Sequence, residues 1–428
     1  MKKTKIIFAF VLALALCLGG MATAAAAPPE GTPPKGTVGT ATTPAQAAIT
    51  KLLQMPEGTA IPNAVFKFKV TSVTVDGVTA TETNMPIIGT PISGEAAGIY
   101  AFDSFAGNKT PVTTGGITTT PMQSADILAA KKGNWPHAGV YVYTVEEVSN
   151  TYAADATHEI MNYSPAKYTL NVYVKDNGSG VYFAWLIGAY VTVKDDQAQD
   201  TDVKLNVTPD GGDDTTLTYS QMTFTNKYVH TNGTDTPDNP DPTDPDQATL
   251  TISKKVDGAY ASTGIFFDFK LTITNPAIDV SPALPSSYKG YIVEGSTVSA
   301  PITFNVGSTP TSFQLKHGQS LVFVNTPVGT DYTVEENGTL AYEAKLVISN
   351  PSSTATGTTP GAGVSGKGKV GEQLNTADFT NKRDDVTPTG LNLNDIPFIG
   401  LIALALSAAA FFIVIKLRRR NNYSQANL

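Results

Sequence analysis

The chain has 428 residues, one cysteine, and 29 basic against 37 acidic side chains, for a formal net charge of −8. A single thiol excludes a disulfide framework and any cysteine-built metal site. The acidic balance argues against nucleic acid as a partner.

The chain opens with Met1-Lys2-Lys3-Thr4-Lys5, an apolar run from Ile6 to Leu18, and small residues through Met21-Ala22-Thr23-Ala24. These three parts predict a secretory signal over 1–24 and a mature chain that begins near Ala25. Cleavage after Ala27 would set Pro28 beside the scissile bond. Cys17 lies inside this signal, with Leu16 where lipidation needs a small residue, so the exported chain carries no thiol.

Residues 25–45 form a leader rich in Pro and Thr. From residue 46 to 228, apolar residues recur with period two, as in Val65-Phe66-Lys67-Phe68-Lys69-Val70 and Tyr168-Thr169-Leu170-Asn171-Val172-Tyr173-Val174. Such runs between turn residues predict antiparallel strands with one buried face. Residues 229–248, with their repeated Pro and Asp, cannot bury a core and read as a linker. Strand patterns resume over 249–383. The expected fold is therefore all-β: two tandem immunoglobulin-like β-sandwiches, each of a size that suits one domain.

At the far end, Ile396 to Ile415 is uncharged and long enough for a transmembrane helix, and a basic tail follows over 416–428 with Lys416, Arg418, Arg419 and Arg420. The tail is expected to stay in the cytoplasm. Removing both ends leaves 22 basic against 36 acidic residues, net −14, a feature that favours solubility on an exposed surface.

Comparing the two halves reveals a repeat in the same order. Ile49-Thr50-Lys51-Leu52-Leu53 matches Leu250-Thr251-Ile252-Ser253-Lys254-Lys255-Val256; Tyr143-Thr144-Val145-Glu146-Glu147 matches Tyr332-Thr333-Val334-Glu335-Glu336; Phe224-Thr225-Asn226-Lys227 matches Phe379-Thr380-Asn381-Lys382. Strand alternation places Lys51, Glu147, Lys254 and Glu336 on apolar faces, and Glu146, Glu335 and Lys255 on the opposite ones. Burial without water favours a neutral amine and a protonated carboxylic acid. A neutral amine can attack the Asn side-chain carbonyl while the acid polarises it and shuttles a proton to the departing ammonia. The product is an isopeptide amide between the first and last strands.

These motifs resemble the intramolecular isopeptide domains of Gram-positive pilins. The first half, with His137-Ala138-Gly139-Val140-Tyr141-Val142-Tyr143-Thr144-Val145-Glu146-Glu147, is similar to the streptococcal pilin isopeptide-linkage domain. The second, with Leu315-Lys316-His317-Gly318-Gln319-Ser320 and Pro327-Val328-Gly329-Thr330-Asp331-Tyr332-Thr333-Val334-Glu335-Glu336, resembles a smaller relative of collagen-adhesin B-type domains. The resemblance implies catalytic Glu147 and Glu336, with cross-links Lys51–Asn226 and Lys254–Asn381. Val386-Thr387-Pro388-Thr389-Gly390, placed just before the apolar span, resembles a cell-wall sorting signal. It implies cleavage by sortase between Thr389 and Gly390.

The function so implied is a secreted structural subunit of a pilus, held only transiently by the membrane and then anchored in the cell wall. Its expected partners are sortase, peptidoglycan or other pilin subunits, and a ligand on a host or other surface. No clear pilin motif marks the nucleophile that would join subunits; Lys167, Lys204 and Lys227 are candidates, each reading first as a solvated surface lysine. The alternative without polymerisation is a monomeric adhesin or spacer, for which Trp135 and the segment 76–136 offer a surface, although Trp135 beside Pro136 reads first as packing. A turnover enzyme is disfavoured: the four histidines form no His-Glu-x-x-His pattern and no Gly-rich phosphate loop follows a strand. No cofactor or metal is expected.

Overall fold

A computed structural model of the chain describes residues 38–81, 84–89, 94–95, 98–101, 110–131, 135–195, 204–208, 220–231, 241–384 and 396–425. The signal, most of the leader, the centre of the linker and the sorting motif with Thr389 and Gly390 lie outside the described residues. The chain adopts the all-β, two-sandwich architecture that its period-two patterning predicts.

In the first sandwich, one sheet runs in the order Val112–Thr114, Ile117–Gln123, Thr50–Pro56, Thr223–His230, Glu159–Asn162. The facing sheet runs Lys204–Leu205, Tyr182–Val193, Lys167–Asp176, Gly139–Val148, Lys67–Val75, Val78–Thr79, with Ile99–Ala101 also on Lys67–Val75. The tight hairpin at Asp76-Gly77 has φ of 50° and 80°, the left-handed pair that a two-residue turn between twisted strands requires. Ile49, Leu53, Phe66, Phe68, Val145 and Phe224 belong to the core between the sheets.

The second sandwich repeats the plan. Leu250–Asp257 lies between Ser320–Phe323 and Thr376–Lys382 in the larger sheet, and the smaller sheet runs Thr311–Leu315, Phe267–Thr274, Asp331–Glu336, Val364–Lys369. Phe267–Thr274 buries Phe267, Phe269, Leu271 and Ile273 and turns the alternate residues outward, as strand geometry dictates.

Two expectations need correction. The strands are not all antiparallel: Thr50–Pro56 pairs parallel with Thr223–His230, and Leu250–Asp257 parallel with Thr376–Lys382. Parallel neighbours need a long crossover, and in each case the whole sandwich serves as that connection. The stretch 229–248 read as a linker also begins inside the first sandwich, where Val229 is buried. The last strand of the first sandwich continues through Val229 and His230, and Thr231 bridges to Pro327. Around this bridge Val328 N donates to His230 O at 2.9 Å, Ala60 N to Glu372 at 2.6 Å and Ser281 N to Asn162 Oδ1 at 2.7 Å. His230 Nδ1 lies 3.0 Å from Glu372 Oε2, and Lys369 pairs with Glu57 at 3.0 Å. Gly329, at φ 85°, sits where a Cβ would meet Pro56 Cβ at 2.4 Å, so glycine permits this close approach.

The helix Ile396–Gln425 contains a 22-residue span, Phe398–Arg419, whose most apolar 18 residues have a mean hydropathy of 2.8, enough by length and composition to cross a membrane.

Candidate functional site

The sheet register decides which side chains meet. In the first sandwich Lys51 stands opposite Phe224 and Leu53 opposite Asn226; in the second Lys254 stands opposite Phe379 and Val256 opposite Asn381. Lys and Asn are thus on one face, offset by two residues, a diagonal that a long side chain spans. Glu147 and Glu336 come from the facing sheets and reach across the core.

Lys51 Nζ donates to Glu147 Oε1 at 2.7 Å and makes a short hydrogen bond to Asn226 Oδ1. Asn226 Nδ2 donates to Glu147 Oε1 at 3.1 Å. In the second set Lys254 Nζ donates to Glu336 Oε2 at 2.7 Å, and Asn381 Nδ2 donates to Glu336 Oε1. Both Lys–Glu pairs have side chains with no solvent exposure. All six core residues singled out in the repeat are therefore brought together in two sets of three. Glu335 and Lys255 are exposed, and Glu146 pairs with Lys167 at 2.8 Å on the outer face.

Burial sets the electrostatics. Loss of water pushes Lys51 and Lys254 down to about 8, against the opposing pull of Glu147 and Glu336. The same loss of water raises both glutamates, although each lysine opposes it. Sequence reasoning missed what supplies this dryness. Lys51 Nζ lies 4.8 Å from the centroid of Phe66 and 5.7 Å from that of Phe68; Lys254 Nζ lies 3.9 Å from Phe267 and 5.6 Å from Phe269. The recurring Phe-x-Phe was the available signal. Its ring faces favour the cation by about 1 kcal/mol, less than the roughly 3 kcal/mol that a displacement from 10.5 to about 8 represents, so desolvation wins.

The two sets differ in one respect. Ser164 N donates to Asn226 Oδ1 at 2.8 Å and to Glu147 Oε2 at 3.0 Å, whereas Asn381 Oδ1 is buried with no hydrogen-bond partner among the described residues. Asp195 Oδ2 accepts from Ser164 Oγ at 2.5 Å and from Thr225 N at 2.8 Å. Neither Ser164 nor Asp195 has a counterpart in the repeat, so comparison of the halves could not find them.

The remaining candidates fall elsewhere. Lys167 is exposed; Lys227 is partly buried beside Asp279 of the second sandwich, lining the same cavity. Lys204 is not a solvated lysine but 9% exposed, on a short strand paired with Tyr190. Trp135 is buried against Tyr141, a packing role. His317 Nδ1 accepts from Val256 N at 2.9 Å in a turn, and His137 also sits beside a strand start. Among the described residues no group of three metal-ligating side chains could hold an ion.

Fold and site together define a tandem β-sandwich protein with one buried Lys, Glu and Asn set in each sandwich. Among known proteins its sequence is similar to pilus proteins of Streptococcus pyogenes: 29% identity over 176 residues to a pilin of serotype M1, and 32% over 145 residues to the pilus tip adhesin Cpa. These alignments cover 39% and 33% of this chain, and span 48% of the pilin and 18% of the adhesin. Residues 248–383 match a family described as a domain of unknown function, DUF7601. The crystal structure of the Streptococcus pyogenes major pilin aligns with 80% of this chain and 100% of its own, at 20% identity and a TM-score of 0.31.

Proposed function

We propose that the chain is a cell-wall-anchored structural subunit of a Gram-positive pilus, stiffened by two self-formed Lys–Asn isopeptide bonds and attached through Thr389 by sortase. The observation that carries this reading is the recurrence of one buried triad in both sandwiches, with Lys and Asn on adjacent parallel strands and Glu facing them.

The chemistry follows from the environment. With the lysines at about 8, the neutral amine fraction at pH 7 is roughly 300-fold greater than for a lysine in water. The raised glutamate carries the proton that passes from the amine to the leaving nitrogen. Nζ attacks Cγ of the asparagine, the new C–N bond forms, the bond to Nδ2 breaks, and ammonia leaves. Fixed placement inside a dry core supplies the effective concentration that makes an ordinary amide react once. In the second sandwich a half-turn of the Asn381 amide brings Oδ1 to the protonated Glu336, where it is polarised, and moves Nδ2 to the unpartnered position. This is a single self-modification without turnover.

Intact mass of the mature chain tests the reading: loss of two ammonia molecules, about 17 Da each, is expected, and an unmodified mass rejects it. Changing Thr389 and Gly390 to Ala is expected to strand the chain in the membrane fraction; wall attachment that survives rejects the sorting signal. A covalent ladder on a denaturing gel distinguishes a pilus from a single wall-bound spacer.

A further inference from the structure

We propose that the backbone N–H of Ser164 is the oxyanion donor for bond formation in the first sandwich, and that Asp195 is the positioning residue that holds it there. The inference rests on the isopeptide reading of Lys51, Glu147 and Asn226.

Ser164 follows the strand Glu159–Asn162 and precedes Pro165, whose ring keeps the preceding residue extended. Lying between two strands, its N–H has no ladder partner to satisfy and points into the core, where the residue is 7% exposed. The acceptor at 2.8 Å is Asn226 Oδ1, the oxygen on which negative charge develops when Lys51 Nζ adds to Cγ. Preorganised donors aimed at such an oxygen, in a site without water, lower the barrier most where the charge appears. The branch of the same N–H to Glu147 Oε2 holds the acid beside the amide.

Asp195 ties this donor to the acceptor. One carboxylate oxygen accepts from Ser164 Oγ and from the backbone N–H of Thr225, the residue next to Asn226. The donor loop and the acceptor strand are thereby fixed to a common point. In the step itself Lys51 Nζ–Asn226 Cγ forms, Cγ–Nδ2 breaks, and an amine proton passes by way of Glu147 to Nδ2, which leaves as ammonia. Ser164 N–H transfers no proton. The charge of Asp195 favours the protonated form of Lys51 and so opposes the reaction electrostatically, which separates its two effects.

The test is a pulse-chase of cells expressing the whole chain, with acid quench and tryptic mapping of both cross-linked peptides against time. Asp195→Ala is expected to slow the Lys51–Asn226 cross-link at least tenfold, and Ser164→Ala, which removes the same hydrogen bond from the other side, to slow it by a smaller factor. Asp195→Asn keeps an acceptor oxygen without the charge and is expected to form the bond at the wild-type rate or faster. The Lys254–Asn381 cross-link in the same molecules should be unchanged in every variant. Wild-type rates in both Asp195→Ala and Ser164→Ala overturn the proposal. So does an Asp195→Asn variant as slow as Ala, or equal slowing of both cross-links. If the wild-type chain forms neither cross-link, the isopeptide reading itself has failed.

Discussion

Whether Glu336 or Glu335 matters is decided by one residue of strand parity. Glu336 is buried against Lys254 at 2.7 Å, and Glu335 faces solvent opposite Lys270. Glu336→Ala is expected to keep the mass of one ammonia, about 17 Da, and to leave Lys254 buried without a partner, at a cost of about 3–5 kcal/mol. Glu335→Ala should form both bonds and melt like the wild type. Intact mass and thermal melting read both outcomes; a Glu336→Ala chain that has lost two ammonia molecules would falsify the assigned role. The same experiment applies to Glu147 and Glu146 in the first sandwich, where Glu146 sits on the outer face with Lys167.

At the level of strands, the cross-link would close a loop from Leu250–Asp257 round to Thr376–Lys382. A loop of that length restricts the unfolded chain by about 4–5 kcal/mol in the entropic treatment. Lys254→Ala should therefore melt well below the wild type, with proteolysis entering between residues 250 and 382 while the Lys51–Asn226 bond stays intact. Equal melting and equal protease resistance would reject a stabilising role for the bond. The strands and their buried triads are legible in the sequence because period-two alternation and an internal repeat point to the same residues. The parallel pairing of first and last strands is not legible, since alternation reports which face is buried and nothing about neighbour direction. Nor is the Ser164 donor, because a backbone N–H has no side-chain signature and its holder, Asp195, lies in an unrepeated segment after Tyr182–Val193. The Phe-x-Phe pairs read as ordinary core until the position of the lysines gives them a second role.

Across the whole molecule, the two sandwiches meet through groups whose charge depends on pH. Glu372 raises the pKa of His230 above 6.5, and in return His230 helps hold Glu372 below 4.5. The histidine's contribution to docking is complete below 6.5 and is lost as pH rises through its raised value; that of Glu372 is complete above 4.5 and is lost as pH falls through its lowered one. Docking should be firmest between those limits, with this partly exposed pair worth about 1 kcal/mol. Small-angle scattering is expected to show a more variable arrangement of the sandwiches at pH 9 than at pH 6, and Glu372→Gln should abolish that difference; a profile indifferent to both would exclude the pair as a coupling element. The parallel pairing has a separate mechanical consequence. A chain that enters along one strand and leaves along its parallel neighbour is pulled in opposite directions at opposite ends, so tension loads the interstrand ladder in shear. With Lys51 joined to Asn226, 175 residues away, roughly 600 Å of contour length is bypassed by the load path. Joining Lys254 to Asn381 withholds about 430 Å more. A fibre of such units would transmit force with almost no reserve of extension, and its compliance would lie in the segments between the bonds.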